Sequence, residues 1–109
     1  MAEAAKAQGN AAFSAGQYDQ AVTHFTTAIG LDPSNHVLYS NRSAAQASLK
    51  NFEGALEDAK KTVELKSDWA KGYSRLGAAY FGLRDYDKSI EAYGNGLKID
   101  PANELLKSG

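Results

Sequence analysis

Lys71 and Arg75 stand four residues apart in AKGYSRLG (70–77), with no acidic residue between or immediately after them. On a helix that spacing places both on one face, where like charges repel by about 0.2–0.5 kcal/mol. A helix stabilised by its own ion pairs would carry Glu or Asp at such a spacing. Two cations left in this arrangement suit an anion that arrives from outside. Other chemistry is thinly represented. The chain has no cysteine, which removes disulfides, thiolate nucleophiles and cysteine-based zinc sites. His24 and His36 lie 12 apart with no acidic partner at ligand spacing, so they read as ordinary helical or helix-entry residues rather than metal or catalytic groups. No Ser/His/Asp arrangement and no Gly-rich phosphate loop occurs. The glycines read as punctuation and helix-contact positions. The expectation is a protein that is not an enzyme and needs no cofactor or metal.

The chain has 109 residues, 43% hydrophobic and 23% charged, and a net charge of -1. That is enough for one domain with a modest core. It carries no global basic field of the kind nucleic-acid binders show. The opening MAEAAKAQGN is polar and Ala-rich, unlike a signal peptide. No apolar run approaches the roughly 18 residues of a membrane span. These features point to a soluble cytoplasmic domain with neither nucleic acid nor membrane as partner.

The elements that must position Lys71 and Arg75 emerge from internal periodicity. LDPSN (31–35) and IDPAN (99–103) lie 68 apart, and LKSDW (65–69) occupies the midpoint. The chain therefore divides into three units of 34 residues, 2–35, 36–69 and 70–103, followed by the start of a capping helix over 104–109. Unit position 8 is Gly9, Ser43 and Gly77, and position 20 is Ala21, Ala55 and Ser89. Position 17 is Tyr18, Phe52 and Tyr86, which read as core or turn packing. Each unit reads as two helices, the first bounded by AGQ, LKN or LRD. The second opens on an acidic residue that suits a helix N-terminus and closes at DP in the outer units. Small residues at positions 8 and 20 let the paired helices approach closely. Phe25 and Tyr93 at position 24 fill the space between units, with Ala59 the smaller choice in the middle.

As a set, this pattern resembles the tetratricopeptide repeat (TPR), over residues 2–103. Departures are Ala5 where Trp is common, Gln46, Thr62, Gly96, and Ser67 in place of Pro. The resemblance implies an all-α fold of three tandem helix–turn–helix repeats stacked in a right-handed superhelix, with the first helices lining its concave face.

At 100° per residue, positions 4, 7, 8 and 11 of the first helices share the packing side. Arg42 falls there and reads as structural, its stem laid along apolar neighbours. Positions 2, 5, 6 and 9 face the opposite way. They hold Lys6, Asn10, Asn41, Lys71 and Arg75 among the small residues Ser40, Ala44, Ser74 and Ala78. The first helices carry four cations against Glu3 alone, whereas the second helices carry four lysines against seven acids. A near-neutral chain is thus two-sided, and its positive face selects an anion.

These five residues resemble the dicarboxylate clamp of chaperone-binding TPR domains. HVLYSNRSAA (36–45) and WAKGYSRLGAA (69–79) are similar to the first TPR domain of the heat-shock organising co-chaperone family. The resemblance implies an adaptor that grips the C-terminal Glu-Glu-Val-Asp of heat-shock chaperones, the 70 family preferred and the 90 family as a second partner. A C-terminal Asp offers two carboxylates, which Lys6, Lys71 and Arg75 can neutralise while Asn10 and Asn41 donate amide hydrogen bonds. Charge-assisted bonds of about 1.5–3 kcal/mol each, less the ordering of a flexible tail, give an affinity on the order of micromolar. Phe13, Ala44, Ala47 and Phe81 can form pockets for the Val and upstream side chains. Two rival readings use the same groove, one for an internal acidic or helical segment of another protein, the other for RNA or phosphate. The truncated look of NELLKSG suggests a piece of a longer protein, with a strip around Ile90, Tyr93 and Leu97 that would favour self-association.

Overall fold

The computed structural model describes residues 2–101. Six helices account for most of them: α1 (Ala2–Ser14), α2 (Tyr18–Leu31), α3 (His36–Ser48), α4 (Phe52–Leu65), α5 (Ala70–Gly82) and α6 (Tyr86–Ile99). No strand occurs among the described residues. The capping helix expected over 104–109 lies outside them.

The punctuation read from sequence sets the helix limits. Asn51 and Asp85, the last residues of LKN and LRD, accept from the backbone N–H of Gly54 and Lys88 and so cap α4 and α6. Asn35 caps α3 by accepting from Val37 N–H. In AGQ the equivalent residue is Gln17, which makes no side-chain cap bond. The first helix of each pair ends on a left-handed residue, Gly16, Lys50 or Arg84, with φ of 78°, 63° and 65°. Around each, two backbone N–H groups return to the last turn, for example Gly16 to Phe13 and Gln17 to Ala12. This double return is the Schellman arrangement.

Consecutive helices pack antiparallel as hairpins, α1 with α2, α3 with α4 and α5 with α6, and each hairpin stacks on the next through α2–α3 and α4–α5. In addition α3 touches both α1 and α5, whereas α2, α4 and α6 have at most a glancing contact with one another. The first helices therefore form a continuous inner layer, the side on which the cations and amides were expected.

The core follows the small residues. A Cβ added to Gly9 would meet ring atoms of Phe25 at 2.6–2.9 Å, and one added to Gly77 would meet Tyr93 at 2.6–2.8 Å. Phe25 thus lies against the glycine of its own hairpin as well as in a cluster with Ala12, Ala21 and Ala45, which spans two hairpins. The position-24 ring serves both spaces, not only the one between units. A second cluster joins Ala5, Ala28 and Leu38. In the middle hairpin Ser43 and Ala59 replace the glycine and ring, and Ser43 donates its hydroxyl to the Ala55 carbonyl at 2.8 Å. Ser89 makes the corresponding bond to Gly77 O at 2.9 Å in the third. Phe52 packs against Gly82. Tyr18 and Tyr86 make edge-on contacts with Phe13 and Phe81 at 5.2 and 5.4 Å between ring centroids.

Candidate functional site

The three inner helices bring part of the expected constellation into one place. A pocket of about 70 Å³ is lined by Asn10 and Phe13 of α1, Phe25 of α2, Asn41 and Ala44 of α3, and Arg75 of α5. Asn41 donates its amide to Asn10 Oδ1 at 3.3 Å, so the two asparagines are tied across adjacent hairpins. Lys6 lies one turn before Asn10 on α1 and is half-buried, and Lys71 lies one turn before Arg75 on α5 and is exposed. Neither lysine lines the pocket itself. Of the four apolar candidates, Phe13 and Ala44 line it and Ala47 and Phe81 do not. Phe81 is exposed beside Tyr86.

Arg75 sits where burial matters. Desolvation pushes the pKa of its guanidinium below the ordinary arginine value. Its Nε donates to Ser40 Oγ at 3.2 Å, and no carboxylate pairs with it among the described residues. A partly desolvated cation without a counter-ion, facing two amides, is the arrangement that receives an anion. Lys71 holds its Nζ 5.6 Å from the centroid of Trp69, a cation–π contact, and Trp69 in turn meets His36 edge-on at 4.8 Å.

Arg42 lies outside this groove. It grips Asp58 with two bonds, Nε to Oδ2 at 2.7 Å and Nη2 to Oδ1 at 2.8 Å, and its Nη1 donates to Thr26 at 3.2 Å. The hydrogen bond to Asp58 is the main reason its pKa is raised. Tyr39 stacks under it at 5.9 Å. Its structural reading holds, through an ion pair to the buried Asp58 that the sequence did not reveal.

Sequence reasoning missed Ser40 and Trp69. In sequence Ser40 reads as a small residue leaving room in the groove, but it is fully buried beneath Arg75, and Ser74 is also buried. The available signal was spacing: Ser40 precedes Arg75 by one unit plus one residue. Trp69 could have been found as the aromatic two residues before Lys71. Among the described residues no group of three or more His, Asp or Glu could hold a metal, and no helix is long and apolar enough to cross a membrane.

Stacked helical hairpins with an inner layer that gathers Asn10, Asn41 and Arg75 around one pocket define a repeat-built helical scaffold. Comparison with known proteins makes the class specific. The tetratricopeptide repeat profile matches residues 70–103 and a TPR repeat profile matches residues 9–50. The chain superposes on the first TPR of Spaghetti (RPAP3) bound to HSP90 peptide SRMEEVD with a TM-score of 0.94. It is 36% identical to that protein, covering 98% of this chain and 85% of that one. It belongs to the tetratricopeptide repeat family. Over all 109 residues it is 63% identical to the Hsp70-Hsp90 organizing protein of Triticum aestivum. The chain spans about a fifth of the length of that curated relative, 19%. A further similar structure is the second TPR domain of human RPAP3 in complex with HSP70 peptide SGPTIEEVD, at 26% identity and a TM-score of 0.93, covering 98% of this chain and 89% of that one.

Proposed function

We propose that this domain is a non-enzymatic, cytoplasmic co-chaperone adaptor that binds the C-terminal Glu-Glu-Val-Asp of heat-shock chaperones, with the 70 family preferred. The units 2–35, 36–69 and 70–103 act as three repeats presenting one groove. In it Lys6, Asn10, Asn41, Lys71 and Arg75 form a clamp for the doubled carboxylate of a C-terminal Asp. The observation that carries this reading is Arg75, desolvated, without a carboxylate partner, and lining one pocket with Asn10 and Asn41. Support comes also from the two RPAP3 structures, whose bound peptides both end in EEVD. In the clamp, Asn10 and Asn41 supply amide donors, Arg75 and the lysines supply charge, and Phe13 with Ala44 offers an apolar floor to the neighbouring side chain.

Calorimetric titration with a free-acid peptide ending in Glu-Glu-Val-Asp tests this against its C-terminally amidated twin. The free acid should bind at micromolar strength and the amide at least tenfold more weakly, about 1.4 kcal/mol. Equal binding of the two would instead indicate recognition of an internal acidic segment. Peptides ending as the 70-family and 90-family sequences do, compared in the same titration, check the preference.

A further inference from the structure

We propose that Ser40 is a positioning residue that decides which edge of the Arg75 guanidinium meets the ligand. The inference rests on the clamp reading above and adds a geometry to it.

A guanidinium has two edges that can hold a carboxylate with paired hydrogen bonds. One is the side edge, made by Nε and a terminal nitrogen, and the other is the end edge, made by both terminal nitrogens. The molecule shows the side edge in use at Arg42, whose Nε and Nη2 hold Asp58. At Arg75 the Nε is already committed to Ser40 Oγ, so the side edge is spoken for. Ser40 is 0% exposed and sits on α3, while Arg75 sits on α5, so this bond crosses between hairpins and ends on a buried acceptor. No partner for Nη1 or Nη2 of Arg75 occurs among the described residues. Only the end edge remains for an incoming carboxylate.

Anchoring matters because a long arginine side chain loses much rotamer freedom when it is immobilised. With Nε held by a fixed hydroxyl, part of that ordering is done before the ligand arrives, the general route by which preorganisation raises affinity. Without the hydroxyl the guanidinium can turn, exposing either edge, and its Nε–H loses a buried acceptor. A lysine at position 75 could be neither anchored through a side nitrogen nor offer two parallel donors.

The test combines Ser40→Ala, Arg75→Ala and the double variant in the full chain, with the free-acid peptide ending in Glu-Glu-Val-Asp as probe. Ser40→Ala should weaken peptide binding three- to tenfold. In the Arg75→Ala background the same change should matter by less than twofold, because the residue it positions is gone. Equal losses in both backgrounds would show that Ser40 acts through packing alone and would overturn the proposal. A second readout needs no ligand: the Arg75 Nε–H signal in nitrogen-15 spectra should exchange slowly with water in the parent protein and at least tenfold faster in Ser40→Ala. Unchanged exchange overturns the anchoring, whereas slow exchange in a parent that fails to bind the peptide would upset the clamp reading and leave the anchoring intact. Should Ser40→Ala fold poorly, Ser40→Cys fills the site with a slightly larger group that is a weak acceptor and should give the same two effects.

Discussion

Arg42 and Arg75 occupy the same inner layer of helices, on α3 and α5, and the protein uses them in opposite ways. Arg42 spends Nε and Nη2 on Asp58 and Nη1 on Thr26, so every nitrogen has a partner within the fold. Arg75 spends Nε on Ser40 and faces a pocket shared with two asparagines. The electrostatic outcomes diverge accordingly: hydrogen bonding to Asp58 raises the pKa of Arg42, and burial lowers that of Arg75. Within the 34-residue repeat the two differ by a single position, which on a helix is a turn of about 100°. That rotation takes a guanidinium from the α4 side of the hairpin to the groove. Residue type alone does not say whether an arginine is structural or waits for a ligand; the presence of a counter-charge in the fold does.

Removing each arginine should separate the two roles, and the larger effect falls on Arg42. Arg42→Ala strands Asp58, which is only 5% exposed, without its cation. Breaking such a pair by removing one partner costs about 3 kcal/mol, a fall in Tm on the order of 12 °C. The remaining folded protein should bind the free-acid peptide within about twofold of the parent, because Arg42 does not touch the groove. Arg75→Ala should do the reverse, losing at least tenfold in affinity, about 1.4 kcal/mol, with a much smaller change in Tm. Calorimetric melting and peptide titration on both variants check the exchange of effects. A stable Arg42→Ala that no longer binds peptide would reverse the assignment.

The outer hairpins close by a second means, a ring over a glycine, and they offer a milder way to press the same contrast. At Gly9 the ring belongs to Phe25, 1% exposed and unable to move away. Gly9→Ala should therefore cost about 2 kcal/mol as an overpacked contact. At Gly77 the ring is Tyr93, only half-buried and with room to swing outward. There the same change should cost less than about 1 kcal/mol. Comparing the two melting temperatures reads how rigidly each end of the array holds its ring.

The parts of this design that were legible in the sequence are those written locally and repeated. The helix limits follow from caps and prolines, and the small residues at positions 8 and 20 announce close helix contact, confirmed by the Gly9–Phe25 and Gly77–Tyr93 approaches and the Ser43 and Ser89 hydrogen bonds. Asn10, Asn41 and Arg75 could be placed on one surface because helical phase carries across units. The Arg42–Asp58 pair was not legible. Asp58 stands in GALEDAKK, where it looks like one more acid on a charged helix, and only packing shows that it turns inward. Ser40 was misread for a similar reason. A small residue on a groove face reads as empty space until the next helix is docked against it.

The smallest expected effect concerns two other cations, Lys50 and Arg84, which close α3 and α5 where Gly16 closes α1. All three are left-handed, with φ of 63°, 65° and 78°. For a residue with a Cβ that conformation costs roughly 1–2 kcal/mol. Glycine avoids the clash but loses about 0.5–1 kcal/mol more backbone entropy on folding. Lys50→Gly and Arg84→Gly should therefore each gain about 0.5–1 kcal/mol, within reach of calorimetric melting. Neither lines the pocket, so peptide affinity should not move. A lysine or arginine just past a helix C-terminus also interacts favourably with the helix dipole, typically by about 0.3–1 kcal/mol at low ionic strength. Repeating the melts in high salt screens that contribution, so the gain from glycine should grow with ionic strength. A gain that stays constant would mean that the charges at these turns contribute nothing to the fold, leaving backbone strain as the whole of the effect.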